Sequence, residues 1–312
     1  MPLYALWRHG LRSVPQKTLF QPLCIVAAIN LTTVLIAGLT CAYPARSHAA
    51  PPDTSAEKHR REVKARRVVD GDTVVLADGD RVRVANINAP EIDEELGMQA
   101  REHTATFLKG KTALLEGASR DGYGRLVADL SVGGVSLAES LVRAGLAHVY
   151  LIPPVDEGRA TKLLRAEAEA RTKKLGIWST ARYAHGFHFT SFYANPKGNE
   201  AADPNLEYVR IANVSGTPKS LKGYTLTNRK GRRFALPDVV VPPGHTVMVH
   251  SGFGTPALDP KKQLKLYWNQ RVPVWSNQGD EATLLGPDGS IVDRVEYVPG
   301  KKKEYPKDTL PE

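Results

Sequence analysis

Between Arg66 and Glu91 the chain reads RRVVDGDTVVLADGDRVRVANINAPE, and no other stretch restricts the fold as much. Two β-rich runs, Val68 to Leu76 and Arg81 to Ile87, flank Asp78-Gly79, a pair that tolerates positive φ and suits a tight hairpin turn. Asp72 lies in the first run. Arg83 alternates with Val82 and Val84 in the second, and Asn88, Pro90 and Glu91 follow where that strand should end. Three oxygen-bearing side chains and one guanidinium can converge at such an edge. Oxygen donors suit a hard cation such as calcium, and a planar guanidinium suits a phosphate. The same spacing also suits a solvated hairpin whose charges face water, so spacing alone leaves both readings open.

Further segments extend the pattern. VVDGDTVVL and VRVANINAPE are followed in order by DGYGR (Asp121 to Arg125), LVRAGLAHVY (Leu141 to Tyr150) and GIWS (Gly176 to Ser179). This ordered series resembles the staphylococcal nuclease (thermonuclease) family from about Val63 to Ser179, and five segments in order are far more specific than one motif. The resemblance implies a five-stranded barrel of the oligonucleotide- and oligosaccharide-binding (OB) type with packed helices, an architecture that handles nucleic acids widely. It also implies calcium-dependent hydrolysis of phosphodiester bonds in DNA and RNA, leaving 3′-phosphorylated products. Asp72 matches the family's calcium-ligating aspartate. Asn88 stands where the family has a second calcium-ligating aspartate, and Ala89 where it contributes a backbone carbonyl. Glu91 matches the glutamate that orients or deprotonates the attacking water. Arg83 and Arg125 match the two phosphate-binding arginines, and Tyr123 matches an aromatic at the nucleotide pocket. Gly122 departs from the family, which can carry a lysine before that tyrosine.

These residue types suit the chemistry on their own account. In-line attack on a phosphodiester builds negative charge on the equatorial oxygens, which a cation and two arginines stabilise. A carboxylate beside the metal can hold or activate water.

The N-terminus bounds where such a protein works. Leu23 to Ala42 is apolar, follows a positively charged start and precedes Ser47-His48-Ala49, a small-x-small pattern suited to signal peptidase. Residues 1–49 therefore read as a signal peptide, with an uncleaved membrane anchor over 23–42 as the alternative because the apolar run is long. The expected location is secreted or extracytoplasmic, with membrane attachment only if the segment stays uncleaved. Both cysteines, Cys24 and Cys41, fall in this segment. A mature protein without cysteine excludes disulfides, thiol catalysis and cysteine-bound zinc. The formal charge is +9, but the first 49 residues hold Arg8, Arg12, Lys17 and Arg46 and no acid, so the rest has 38 basic and 33 acidic residues, a net +5. That balance suits a polyanionic partner and equally suits plain solubility.

Residues 50–62 read as a basic linker, and 63–183 as the nuclease-like domain. Within it Met98 to Lys109 has helical composition, Lys111 to Ala118 and Leu126 to Val132 read as strands, and Ser136 with Glu139 forms a capping box for a short helix. Asp156 to Lys174 reads as a longer helix stopped by Gly176, with Trp178 packed beneath it.

From Phe187 the pattern changes to short strands punctuated by turns, which argues an antiparallel β-sandwich. The clearest runs are Leu206 to Asn213, Tyr224 to Thr227, Thr246 to His250, Ala282 to Leu285 and Ile291 to Glu296. LEYVRIANVSGTPKSLKGYTL, LPDVVVPPGHTVMVH and NQGDEATLLGPDGSIVDRVEY resemble, in order, the lamin tail domain, an immunoglobulin-like sandwich. It is assigned to residues 187–298, with a disordered basic tail over 299–312. Tyr267, Trp268 and Trp275 near Lys265 and Arg271 suit either a nucleic-acid surface or core packing. A cell-surface or nucleic-acid contact is the expected role of this half.

The fold expected overall is mainly β with some α: a barrel, then a sandwich. Two functions follow from different classes. One is an exported calcium-dependent nuclease of low sequence specificity, and the alternative is a non-catalytic protein that binds nucleic acid or another anionic polymer on a nuclease-like fold.

Overall fold

The computed structural model describes residues 60–301, 304–306 and 310. The segment expected to be a signal peptide, both cysteines and most of the expected basic linker lie outside the described residues.

Strand β1 (Arg61–Val68) alternates exposed and buried side chains, β2 spans Thr73–Leu76 and β3 spans Arg81–Val84. The Asp78-Gly79 hairpin forms between β2 and β3, pairing Val74 with Val82 and Thr73 with Arg83. Gly79 takes φ +95°, and the Asp78 carboxylate accepts the Asp80 N–H at 3.0 Å. One difference from the sequence reading lies just upstream: Val68 to Leu76 is not one strand. Asp70 accepts the N–H of Asp72 at 3.1 Å, and Val69 donates to the Thr73 carbonyl at 2.8 Å. A short side chain that bonds the backbone two residues on competes with the ladder and bends the chain there.

After the two-residue β4 (Ile87–Asn88), helix α1 (Gly97–Leu108) leads to β5 (Thr112–Arg120) and β6 (Leu126–Val132). β1 pairs antiparallel with β2 and β5, β5 with β6, and β6 runs parallel to β3, joining Arg83 to Val127 and Val84 to Ala128. That last pairing closes a five-stranded barrel. Inward residues such as Val74, Val82, Leu115 and Leu130 are almost fully buried, each side chain worth about 1.5–3 kcal/mol by burial.

The short β7 (Val135–Ser136) precedes α2 (Leu137–Arg143), and β8 (His148–Val149) pairs with β4 before α3 (Glu157–Thr172). Ser136 caps α2 by accepting the Glu139 N–H. The Glu139 carboxylate turns instead to Arg143 at 2.7 Å, so only half of the capping box forms. Trp178 packs beneath α3, with the Arg171 guanidinium 4.4 Å from its ring centroid.

The second half is a two-sheet sandwich. One sheet holds β9 (Phe187–Tyr193), β10 (Tyr208–Asn213), Thr246–His250 and Leu264–Tyr267, and the other holds Thr225–Thr227, Arg233–Ala235, Asp280–Leu285 and Ile291–Tyr297. Phe187, Ile211, Leu226 and Val247 fill the space between the sheets, and Trp268 and Trp275 are buried with them. The two tryptophans are therefore core residues rather than a nucleic-acid surface.

The barrel and the sandwich are packed together. Leu151 donates its N–H to the Gly244 carbonyl at 2.7 Å, and Ile177 and Tyr183 bury against Ala212 and Val214. Arg182 joins Glu94 at 2.7 Å and reaches Asp293 at 3.6 Å.

Two assignments at the ends differ from the sequence reading. The basic linker gives way to strand two residues early, because Arg61 pairs with Leu115 and sets its guanidinium 2.9 Å from Asp80. The described residues of the tail pack rather than hang free. Leu310 covers the barrel core and donates its N–H to the Arg66 carbonyl at 2.8 Å, and Arg67 donates to the Pro306 carbonyl at 3.3 Å. An apolar residue, one backbone bond and one bond from a guanidinium hold the described part of a tail that composition alone marks as basic and unordered.

Candidate active site

The turn from Asp70 to Asp72 is held from below by α1. Thr104 donates its hydroxyl to the Gly71 carbonyl at 2.5 Å, and Arg101 donates to the Val68 carbonyl at 3.2 Å. Gly71 is required by space: a Cβ there would lie 2.6 Å from the Ala89 Cβ and 2.7 Å from the Ala100 Cβ. The close approach brings the Asp72 turn against the Asn88–Ala89 segment.

Asp72 is buried and fully engaged. Its carboxylate accepts the Ala89 N–H at 2.7 Å and the Thr73 hydroxyl at 3.2 Å, and pairs with an Arg83 amine at 2.7 Å. The other Arg83 amine donates to the Asn88 side-chain oxygen at 3.0 Å. Arg83 thus bridges the two candidate metal ligands with one rigid fork.

Asp70 is a site residue that the sequence reading passed over. Burial, then the charges of Asp72 and Glu91, push its carboxyl up to about 7. Its place there comes from the bend that its own side chain makes by accepting the Asp72 N–H, which the β-forming residues around it do not announce.

On the other side, Asp121 organises the loop between β5 and β6. It accepts the N–H groups of Tyr123 and Arg125 at 2.9 and 3.0 Å and the Arg125 guanidinium at 2.8 Å. Burial alone would raise the Asp121 carboxyl, but these bonds outweigh it and hold it below the usual range. The Arg125 guanidinium lies 5.3 Å from the Tyr123 ring centroid, and Tyr123 itself is 66% exposed.

Asp72, Arg83, Asn88, Ala89, Glu91, Tyr123 and Arg125 all line one cleft of about 880 Å³. Every candidate residue read from the sequence is brought to it. The cleft also takes in Asp70, Tyr150, the tail residue Tyr305, and residues of the sandwich, Ser191, Tyr193, Tyr208 and Arg210 among them. Burial, followed by the charges of Glu91 and Asp70, pushes the Tyr305 phenol up to about 12.

A hard cation asks for oxygen donors. Asp70, Asp72, Asn88 and the Ala89 peptide offer them within one turn and one strand end, and the cationic Arg83 already bridges two of them. The donor chemistry fits calcium. Asn88 leaves the set one charge short, and among the described residues no three acidic, histidine or cysteine side chains form a ready metal cluster.

Fold and cleft together define an OB-type barrel with a mixed acidic and guanidinium site, joined to an immunoglobulin-like sandwich. Residues 81–180 match the family model described as staphylococcal nuclease homologue, and residues 182–299 match the lamin tail domain. An "uncharacterized endonuclease" of Escherichia coli is 33% identical over 135 residues, covering 42% of this chain and 83% of that relative. Endonuclease YncB of Bacillus subtilis is 31% identical over 147 residues, covering 43% of this chain and 70% of the relative. The thermonuclease of Staphylococcus intermedius is 32% identical over 124 residues, covering 36% and 73% respectively. This chain belongs to the staphylococcal nuclease family, with a lamin tail domain following its nuclease-like domain.

Proposed function

We propose that this protein is an exported, calcium-dependent nuclease that hydrolyses phosphodiester bonds of DNA and RNA with low sequence specificity. One observation carries the reading: Asp72, Asn88, Glu91, Arg83 and Arg125, drawn from separate segments, line a single cleft on a nuclease-type barrel. The endonuclease and thermonuclease names of the relatives support it, and the apolar Leu23 to Ala42 segment supports export.

Asp72, the Asn88 side-chain oxygen and the Ala89 carbonyl would hold calcium, with Asp70 adding charge beside them. When bound, the cation supplies charge stabilisation to the phosphate oxygens. Arg83 and Arg125 bind the non-bridging oxygens and gain strength as charge builds there, which is worth about 2–4 kcal/mol for one such donor. Glu91 accepts the proton of the water that attacks phosphorus. The bond from phosphorus to the 5′ oxygen breaks, that oxygen takes a proton from solvent, and the phosphate stays on the 3′ side. Backbone-directed contacts carry no base code, which accounts for low specificity.

The test is digestion of single-stranded DNA and of RNA over a calcium titration with a chelator control. Cleavage that rises with calcium and stops with chelator is expected. Strand binding without cleavage at millimolar calcium would instead favour the non-catalytic binder, the reading on whose side the missing acid at Asn88 stands.

A further inference from the structure

The lamin tail domain supplies one wall of the nuclease cleft. In β10, Val209 and Ile211 point into the sandwich core, so Tyr208 and Arg210 face outward, and this strand lies inside its sheet, with Ser191 on one side of Arg210 and Met248 on the other. Their outer face turns to the barrel. Arg210 donates to the Tyr150 hydroxyl and to the Met248 sulfur, and its carbon centre lies 5.9 Å from the Tyr150 ring centroid and 5.8 Å from that of Tyr208. All its partners are neutral. Among the described residues no carboxylate pairs with Arg210, and its Nε is buried without a hydrogen-bond partner.

A half-buried guanidinium without a counter-charge is costly unless an anion completes it. The aromatic surroundings narrow what that anion is. Tyr193 and Tyr208 lie 5.4 Å apart at a tilt of 31°, and Tyr123, at the rim of the barrel, lies against Tyr208. Uncompensated positive charge beside half-buried aromatic rings that line an open cleft is the pattern that holds single-stranded nucleic acid, with the charge on the backbone and the rings under the bases.

We infer that Arg210, with Tyr150, Tyr193 and Tyr208, forms a second phosphate and base subsite, which holds a nucleotide flanking the scissile position of a single strand. The inference rests on the nuclease reading only for the word scissile. The subsite itself requires a single strand in the cleft, cut or uncut. It gives the lamin tail domain a part in binding substrate along the same groove, so that one strand spans both domains.

Fluorescence anisotropy of a labelled 12-nucleotide single strand tests this on the full chain, in chelator so that nothing is cut, across a salt series. Arg210→Ala is expected to weaken binding by roughly tenfold and to flatten the slope of log K against log salt by about 0.7, the loss of one phosphate contact. Arg210→Lys keeps the charge and is expected to keep the slope. Equal slopes for wild type, Arg210→Ala and Arg210→Lys would overturn the subsite, as would an equal fall for both variants. A wild-type chain that binds the strand but never cuts it with calcium, with Arg210→Ala still flattening the slope, would sink the nuclease reading and leave the subsite standing. A chain that cuts while Arg210→Ala binds as wild type does would do the reverse.

Discussion

Arg83 and Asn88 share a hydrogen bond of 3.0 Å, and what a substitution does at either one follows from that contact and the Asp72 pair beside it. Asn88→Asp adds a formal charge to the oxygen set, and ligand charge is a main determinant of calcium affinity. The calcium concentration for half-maximal cleavage is expected to fall, and an unchanged midpoint would remove Asn88 from the metal. Arg83→Ala acts differently. It takes a donor from the developing phosphate charge, so turnover at saturating calcium should drop by about 10²–10³-fold, and a fall confined to substrate affinity would contradict that role. These residues were legible because the VRVANINAPE and DGYGR segments fix their positions relative to one another. Asp70 was not, because its place in the site comes from a bend that its own side chain makes inside a run of β-forming residues. Arg210 was less legible still. Its partner Tyr150 is 60 positions away in another domain, and no local pattern encodes that contact.

The elements that position the site yield two further expectations. Helix α1 lies so close under the Asp70–Asp72 turn that a methyl group on Gly71 has no room. Gly71→Ala is expected to cost about 1–3 kcal/mol, as overpacking does, and to slow cleavage as Asp72 shifts. Denaturant melts together with rates test it, and wild-type values in both would show that the turn tolerates displacement. Helix α3 carries Glu167, a buried carboxylate that accepts the Val149 N–H at 2.9 Å and pairs with Arg171 at 3.1 Å. Burial, against the opposing pull of Arg171, pushes it up from 4.5 to about 7. A raised folded value means the folded state holds the proton more tightly. Its contribution to stability is therefore complete below pH 4.5 and is lost as pH rises through 7, on the order of 3 kcal/mol in all. Glu167→Gln should flatten the stability profile across that window, and an unchanged profile would show that Glu167 is ionised in the fold. The hairpin, β6 and the strand Thr246–His250 could be read from alternation and turn chemistry. Leu264–Tyr267 could not, and its parallel pairing with Thr246–His250 is a tertiary feature that no local pattern announces.

The barrel has its own core, from Val63 to Ala166, and the sandwich has another, from Phe187 to Val292. A chain ending at Tyr183 is expected to fold, since the barrel's core does not depend on the sandwich. It exposes Ile177 and Tyr183, loses the bond from Leu151 to Gly244 and uncovers the barrel residues that Leu310 packs against, so its Tm should fall by roughly 10 °C. An unchanged Tm would mean that the joint contributes nothing. Both domains also border one cleft, so on the proposed reading a strand would lie across the whole molecule, with its scissile phosphate at the barrel and a flanking nucleotide at the sandwich. The decisive measurement is the initial rate of cleavage of a fluorogenic single-stranded DNA at saturating calcium, for the full chain and its Glu91→Gln variant. Wild type is expected to cut, and Glu91→Gln to be slower by about 10²–10⁴-fold, the range for removal of a general base. Equal rates for the two proteins, or no cleavage by a folded wild-type chain, would contradict the account.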